Sequence, residues 1–283
     1  MRGSGVWLVP CSVASIQIGA AIAKLLFGRV EPSTLVWLRL ALAACVLLLV
    51  AMPRLRGRSP RDWAAVTAYG AALAVMNISL YQAIARIPLG TAVTIEFLGP
   101  LTVATLGSRR LRDWCWILLA GAGVALLGAA PSDLDPVGVG FAFLAATAWG
   151  AYIVLSTHTG RRWTGISGLA VGSTIGTLIA TPVMLGASGW VAPTDVRGLD
   201  DPWVWLIGLF VALLSTVVPY SLEMIALRRI PPAVFGILMS LEPAAAAIAG
   251  MLVVGEFIGP VEWAAVVCVM AASIGSVRTS HRP

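Results

Sequence analysis

Blocks of about twenty almost wholly apolar residues follow one another along nearly the entire chain, separated by short stretches of Arg, Asp, Gly and Pro. Each block has the length a helix needs to cross a ~30 Å hydrocarbon core. The breaks predict helices near 6–27, 35–52, 63–84, 91–107, 114–130, 137–156, 166–186, 203–226, 233–254 and 261–277. The blocks are continuously apolar, whereas a membrane barrel would show alternating segments of roughly ten residues. With 59% hydrophobic and 11% charged residues, the 283-residue chain carries more apolar surface than a water-soluble domain of that size buries, and little is left for a separate soluble domain. The expected fold is an all-α integral membrane protein with ten transmembrane helices. Arg2 ahead of an apolar run and Ser12-Val13-Ala14 resemble a secretory leader, but the run continues to Phe27, so it is read as the first helix.

A formal charge of +6 raises the question of a nucleic-acid partner, but the positive residues sit in short loops between apolar blocks, as membrane topology requires. No nucleic-acid partner is expected. With the N-terminus inside, Arg2, Arg54, Arg56, Arg58, Arg61, Arg109, Arg110, Arg112, Arg161, Arg162, Arg228, Arg229, Arg278 and Arg282 all fall on the cytoplasmic side. Arg29, Arg86 and Arg197 alone fall outside. The bias predicts a multi-pass inner-membrane protein with both termini cytoplasmic. Trp63, Trp114, Trp203 and Trp263 begin blocks and read as interfacial anchors. Cys11, Cys45, Cys115 and Cys268 lie inside apolar segments and read as small hydrophobes.

The two halves echo one another. Arg86-Ile87-Pro88, with Pro100 twelve residues on, is matched by Arg229-Ile230-Pro231, with Pro243 twelve residues on. The offset is 143 residues, so five helices precede the second copy and it must run through the membrane in the opposite sense. Residues 1–130 and 137–283 are therefore expected to form two inverted five-helix repeats, a plan of secondary transporters that places the substrate near midplane. Duplicated scaffold is the plainer alternative.

Charges at membrane depth cost at least ~2.5–3.5 kcal/mol each near a helix centre, which makes Lys24, Arg39, Glu96, Glu223 and Glu242 functional candidates. Glu96 lies four residues before Pro100 and Glu242 immediately before Pro243. Proline lacks the N–H that the carbonyl four residues earlier would take, so each carboxylate sits beside a weakened stretch of helix. Removal from water favours the neutral form of a carboxylate, which suits a group that loads and releases a proton. Each could instead pair with Lys24 or Arg39 to hold helices together. Glu223 shares a face with Tyr220 and Thr216 beside Pro219, lining a pathway or else forming an interfacial pair near Arg228 and Arg229. Gln17 and Lys24 share a face of the first helix; Lys24 and Arg39 either meet a substrate carboxylate or snorkel outward. Asn77 and Tyr81, four apart, offer neutral hydrogen bonds to a solute or between helices.

His158 and His281 are expected in a loop and the tail, with no metal-ligand cluster, and no GxxxxGK[ST] or GxSxG motif occurs. Neither a metal, a cofactor, ATP hydrolysis nor enzymatic catalysis is expected.

Three stretches carry a family likeness: Ser15-Ile16-Gln17 through Ala23-Lys24, Pro88-Leu89-Gly90 through Glu96-Phe97-Leu98-Gly99-Pro100, and Pro219-Tyr220-Ser221-Leu222-Glu223 onward to Leu241-Glu242-Pro243, with Gly255-Glu256 after them. On these the chain resembles the drug/metabolite transporter superfamily with paired EamA-type domains. The resemblance implies ten helices, an inside N-terminus and proton-driven export of small amino acids such as threonine and homoserine. The first half departs from the pattern, with Gly107-Ser108-Arg109 where Gly-Glu is usual. The expected partners are a small amino acid, protons and the lipid bilayer, in a monomer or homodimer; drug or other metabolite efflux is the alternative, followed by a membrane-embedded receptor or enzyme.

Overall fold

The structure, a computed structural model, describes residues 6–106, 114–128, 134–191, 195–227, 229–230 and 232–280. The Gly107-Ser108-Arg109 departure, Pro231, His281 and Arg2, Arg110, Arg112, Arg228 and Arg282 lie outside the described residues. The described chain is all-helical: α1 (Leu8–Leu25), α2 (Pro32–Ala51), α3 (Pro60–Ile84), α4 (Leu89–Glu96), α5 (Leu98–Leu106), α6 (Trp114–Gly128), α7 (Pro136–Arg162), α8 (Ser167–Ala187), α9 (Pro202–Ala212), α10 (Val218–Leu227), α11 (Pro232–Met239), α12 (Glu242–Ala249) and α13 (Pro260–Ser280). Among the described residues, eight helical segments are long and apolar enough to cross a membrane, and two more, Leu89–Ala104 and Trp114–Leu127, are apolar but shorter.

Several helices start on a proline in the first turn behind an acidic or hydroxyl residue. Ser59 and Asp62 form a reciprocal cap across Pro60, Glu31 accepts from the N–H groups of Ser33 and Thr34 just after Pro32, and Asp135 and Asp201 accept from the N–H groups of Val137 and Trp203. Proline costs nothing there because that N–H has no helical partner, and its fixed φ suits the first turn. α7 runs six residues past the predicted 156 because its polar end is held by α3. The Thr159 hydroxyl donates to the Ala65 carbonyl at 3.3 Å, and Arg162 pairs with Asp62 at 3.0 Å. His158, expected in a loop, consequently lies within α7, its Nδ1 3.2 Å from the Val154 carbonyl.

Three helical runs are interrupted. α4 gives way to α5 at Phe97, and α11 to α12 at Ser240-Leu241; α4 and α11 are 143 residues apart at both ends. Pro100 and Pro243 follow the two breaks, where they withdraw an N–H from the preceding turn. Between α9 and α10 the chain makes a π-helical turn, Leu213–Val217. Pro219 lacks the N–H that the Ser215 carbonyl would receive, and the Ser15 hydroxyl of α1 reaches the Leu214 carbonyl at 2.7 Å. α3 packs along α7 and α8, α2 along α8, α6 along α13, and α1 along α10 and α12. Glycines permit the closest crossings: a side chain at Gly90 would meet the Ala247 backbone at 2.7 Å, and one at Gly70 the Gly172 carbonyl at 2.6 Å. Trp63, Trp114 and Trp203 are exposed at helix starts.

Candidate functional site

A cavity of about 170 Å³ opens where α1, α2, α3, α4, α7, α8, α10, the π turn and the α11–α12 break converge. Gln17, Arg39, Asn77, Tyr81, Glu96, Tyr220, Glu223 and Glu242, eight of the nine residues singled out in the sequence, line it. They come from six helices, and their sequence separations explain why no local motif announced the site.

The ninth, Lys24, is elsewhere. It pairs with Glu256, beyond α12, and donates to the Ile87 carbonyl at 2.8 Å, while Glu256 accepts from the Leu89 N–H at 2.8 Å. Lys24 thus ties the end of α1 to the start of α4 and to the segment between α12 and α13. Of the two cations considered for a solute carboxylate, only Arg39 faces the cavity among the described residues.

Arg39 is 7% exposed, its guanidinium 5.0 Å from the centre of the Tyr81 ring, and its Nε has no hydrogen-bond partner among the described residues. Glu96 and Glu242 are 4% and 3% exposed. Arg39 is close enough to Glu96 for their charges to interact, whereas Glu242 feels two other carboxylates, Glu223 and Glu96. Ser12 donates to Glu223 at 2.7 Å. Three carboxylates against one guanidinium leave two negative charges uncompensated if all are ionised, a costly state in a low-dielectric interior. Protons or a cationic solute would relieve it.

Gln17 Oε1, Ser173 Oγ, Ser215 Oγ and Glu242 Oε2 are also buried without a hydrogen-bond partner among the described residues. Buried polar atoms are ordinarily bonded, and leaving one unmet costs about 1–3 kcal/mol. These atoms belong to residues that line the one cavity. Ser173, Ser215, Trp149 and Tyr152 escaped the sequence reading. Tyr152 bridges Tyr69 and Tyr220, with hydroxyl distances of 3.3 and 3.2 Å, and Trp149 packs edge-on to Phe97 at the α4–α5 break, 5.6 Å between ring centres. The Trp149-to-Tyr152 spacing on a helix face was the available signal for those two.

Apolar helices gathered around a buried charged cavity, with interrupted helices beside it, define a membrane transporter. The chain belongs to the EamA-like transporter family, whose pattern matches residues 3–130 and 136–278. Across its full length it is 38% identical to the threonine/homoserine exporter RhtA of Escherichia coli strain K12, spanning 95% of that protein. Over 98% of its length it is 39% identical to the threonine/homoserine exporter RhtA of Salmonella typhimurium strain LT2, spanning 94% of that protein. A crystal structure of a protein 20% identical to it shares the fold, with a TM-score of 0.62 over 99% of this chain and 97% of the other.

Proposed function

We propose that this protein exports small amino acids of the threonine and homoserine kind across the inner membrane, by alternating access coupled to proton entry. The observation that carries the reading is the cavity itself, in which one buried guanidinium faces two buried carboxylates and a partly buried third among unmet neutral hydrogen-bonding groups. An amino acid at neutral pH carries one carboxylate and one ammonium. Arg39 is the partner for the first; Glu96 and Glu242 are the partners for the second or for a proton. Crowded carboxylates are a setting in which a proton is held and released as the surroundings change. A proton moving down a 100 mV potential supplies ~2.3 kcal/mol.

The architecture in this reading is ten crossings in two inverted five-helix repeats, residues 1–130 and 137–283, with both termini cytoplasmic. Two findings support it: the breaks after α4 and α11 recur at the 143-residue offset of the sequence repeat, and both lie beside the cavity. Interrupted helices flanking a midplane site are a recurring device of such transporters. The arginine bias supports the orientation. Against efflux of drugs, the cavity is smaller than the roughly 300–1,000 Å³ of pockets that enclose drug-sized ligands.

Proteoliposomes loaded with labelled threonine test the proposal. Efflux should quicken when a pH gradient is imposed in the direction that drives protons inward through the protein. Efflux indifferent to the gradient removes proton coupling, and no efflux of any small amino acid removes the substrate class.

A further inference from the structure

Hydroxyl groups on membrane helices usually satisfy themselves by donating to the carbonyl one turn earlier. The helices around the cavity follow the habit: Thr174 donates to Ala170, Thr177 to Ser173 and Thr181 to Thr177 on α8, each at 2.9 Å, and Ser221 to Val217 on α10 at 2.7 Å. Ser173 and Ser215 do not. They are 1% and 8% exposed, both line the cavity, and neither Oγ has a partner among the described residues.

The surroundings of Ser215 keep it that way. It stands in the π turn, where the extra residue per turn moves the carbonyls out of their α-helical places. The turn is braced from α1 by Ser15 on the Leu214 carbonyl. Gly19 of α1 lies directly against the Ser215 Oγ, so that a β-carbon at that position would collide with it. A bulge, a brace and a bare glycine thus hold one unbonded hydroxyl in the wall of the cavity. Ser173 is presented from α8, next to Gly172, whose lack of a side chain admits the Tyr69 ring.

We infer that Ser215 and Ser173 form the subsite that reads the side-chain hydroxyl of the transported amino acid, setting hydroxyl-bearing solutes above isosteric apolar ones. The inference rests on the amino-acid export reading above and adds its selectivity. A purely apolar pocket discriminates weakly against an isostere that differs by one hydroxyl, whereas a site whose own buried hydrogen-bonding groups would go unmet rejects the apolar analogue strongly. Threonine and valine, nearly identical in shape, make the comparison.

The test measures transport of labelled threonine and valine by the full-length protein in proteoliposomes, for wild type, Ser215→Ala and Ser173→Ala. Wild type should favour threonine by at least about tenfold in kcat/KM. Each alanine should cut that preference about tenfold. The loss should come from a higher KM for threonine together with a lower KM for valine, which no longer leaves a buried hydroxyl unmet. Thermal shift of the purified protein by threonine against valine gives a second readout that needs no turnover, and the preference should shrink there too. A preference unchanged in both variants, or threonine and valine transport falling together, overturns the subsite while leaving export standing. A wild type that moves neither solute overturns the export reading and the subsite with it.

Discussion

The two helix breaks beside the cavity occupy the same place in the 143-residue repeat and are followed by the same proline, yet their carboxylates sit on opposite sides of the interruption. Glu96 is the last residue of α4, and Glu242 is the first residue of α12. A helix C-terminus ends in carbonyls without partners and favours a cation; an N-terminus ends in free N–H groups and favours an anion. At the first break, then, carboxylate and carbonyls together attract a positive group, with Arg39 near enough to interact with Glu96. At the second, a carboxylate at a helix start, its Oε2 without a hydrogen-bond partner among the described residues, feels two other carboxylates. One duplicated scaffold has been given two unlike chemistries. On the proposed export reading, we assign the substrate's ammonium to the α4 break and the proton to the α12 break.

The largest effect is expected at the first. Truncating one charge of a buried, hydrogen-bonding set costs about 2–5 kcal/mol in binding, so Glu96→Gln should raise the KM for threonine at least about thirtyfold while the response to an imposed pH gradient survives. Glu242→Gln should do the reverse, leaving KM within a few-fold and flattening the dependence of efflux on the gradient. Paired flux assays at two internal pH values separate the variants. If Glu242→Gln lost affinity and Glu96→Gln lost the pH response, the assignments would exchange; if both kept full activity, neither glutamate would belong in the mechanism.

How much of this was legible in the sequence follows from which forces act locally. Apolar block length located the helices, because a bilayer imposes that length on each span separately. Pro100 and Pro243 pointed to weak helix beside each glutamate, and the breaks fall there. The π turn at Leu213–Val217 was out of reach: Pro219 hinted at a disturbance, but the turn needs Ser15, about 200 residues earlier in the chain, to take the Leu214 carbonyl. Lys24 was judged by charge and depth alone, and its partner Glu256 lies in the other half of the chain. Ser173, Ser215 and Tyr152 carry no charge, and only their burial around a cavity distinguishes them from the many hydroxyls bonded to their own helices.

The pairing with Lys24 extends the comparison to the start of α4. Glu256, from the far half of the chain, accepts the Leu89 N–H and so caps the helix that ends in Glu96. Glu256→Gln should loosen that anchor by weakening its charge-assisted bond and leaving Lys24 without its counter-ion, a cost on the order of 2–3 kcal/mol for a pair this buried. The midpoint of thermal unfolding in detergent should drop by several degrees, with selectivity between threonine and valine retained. An unchanged midpoint would show that the first half-helix holds its place without help from the second half.

Gly90 offers the finest distinction between the two breaks. By the 143-residue offset its counterpart is Ala233, so Gly90→Ala makes the first half resemble the second at that point. Two effects compete. Replacing glycine within a helix gains about 0.5–1 kcal/mol from the narrower unfolded ensemble. Against that, the new methyl would stand 2.7 Å from the Ala247 Cα and 2.8 Å from its Cβ, a clash with backbone that no rotamer relieves. Overpacking of this kind costs about 1–3 kcal/mol, so the clash wins and the net loss should be about 1 kcal/mol, read as a small fall in the unfolding midpoint. Adding Ala247→Gly should restore only part of it, since the backbone at position 247 still stands in the way of the new methyl. A Gly90→Ala variant as stable as the parent would mean that α4 and α12 part easily at this crossing.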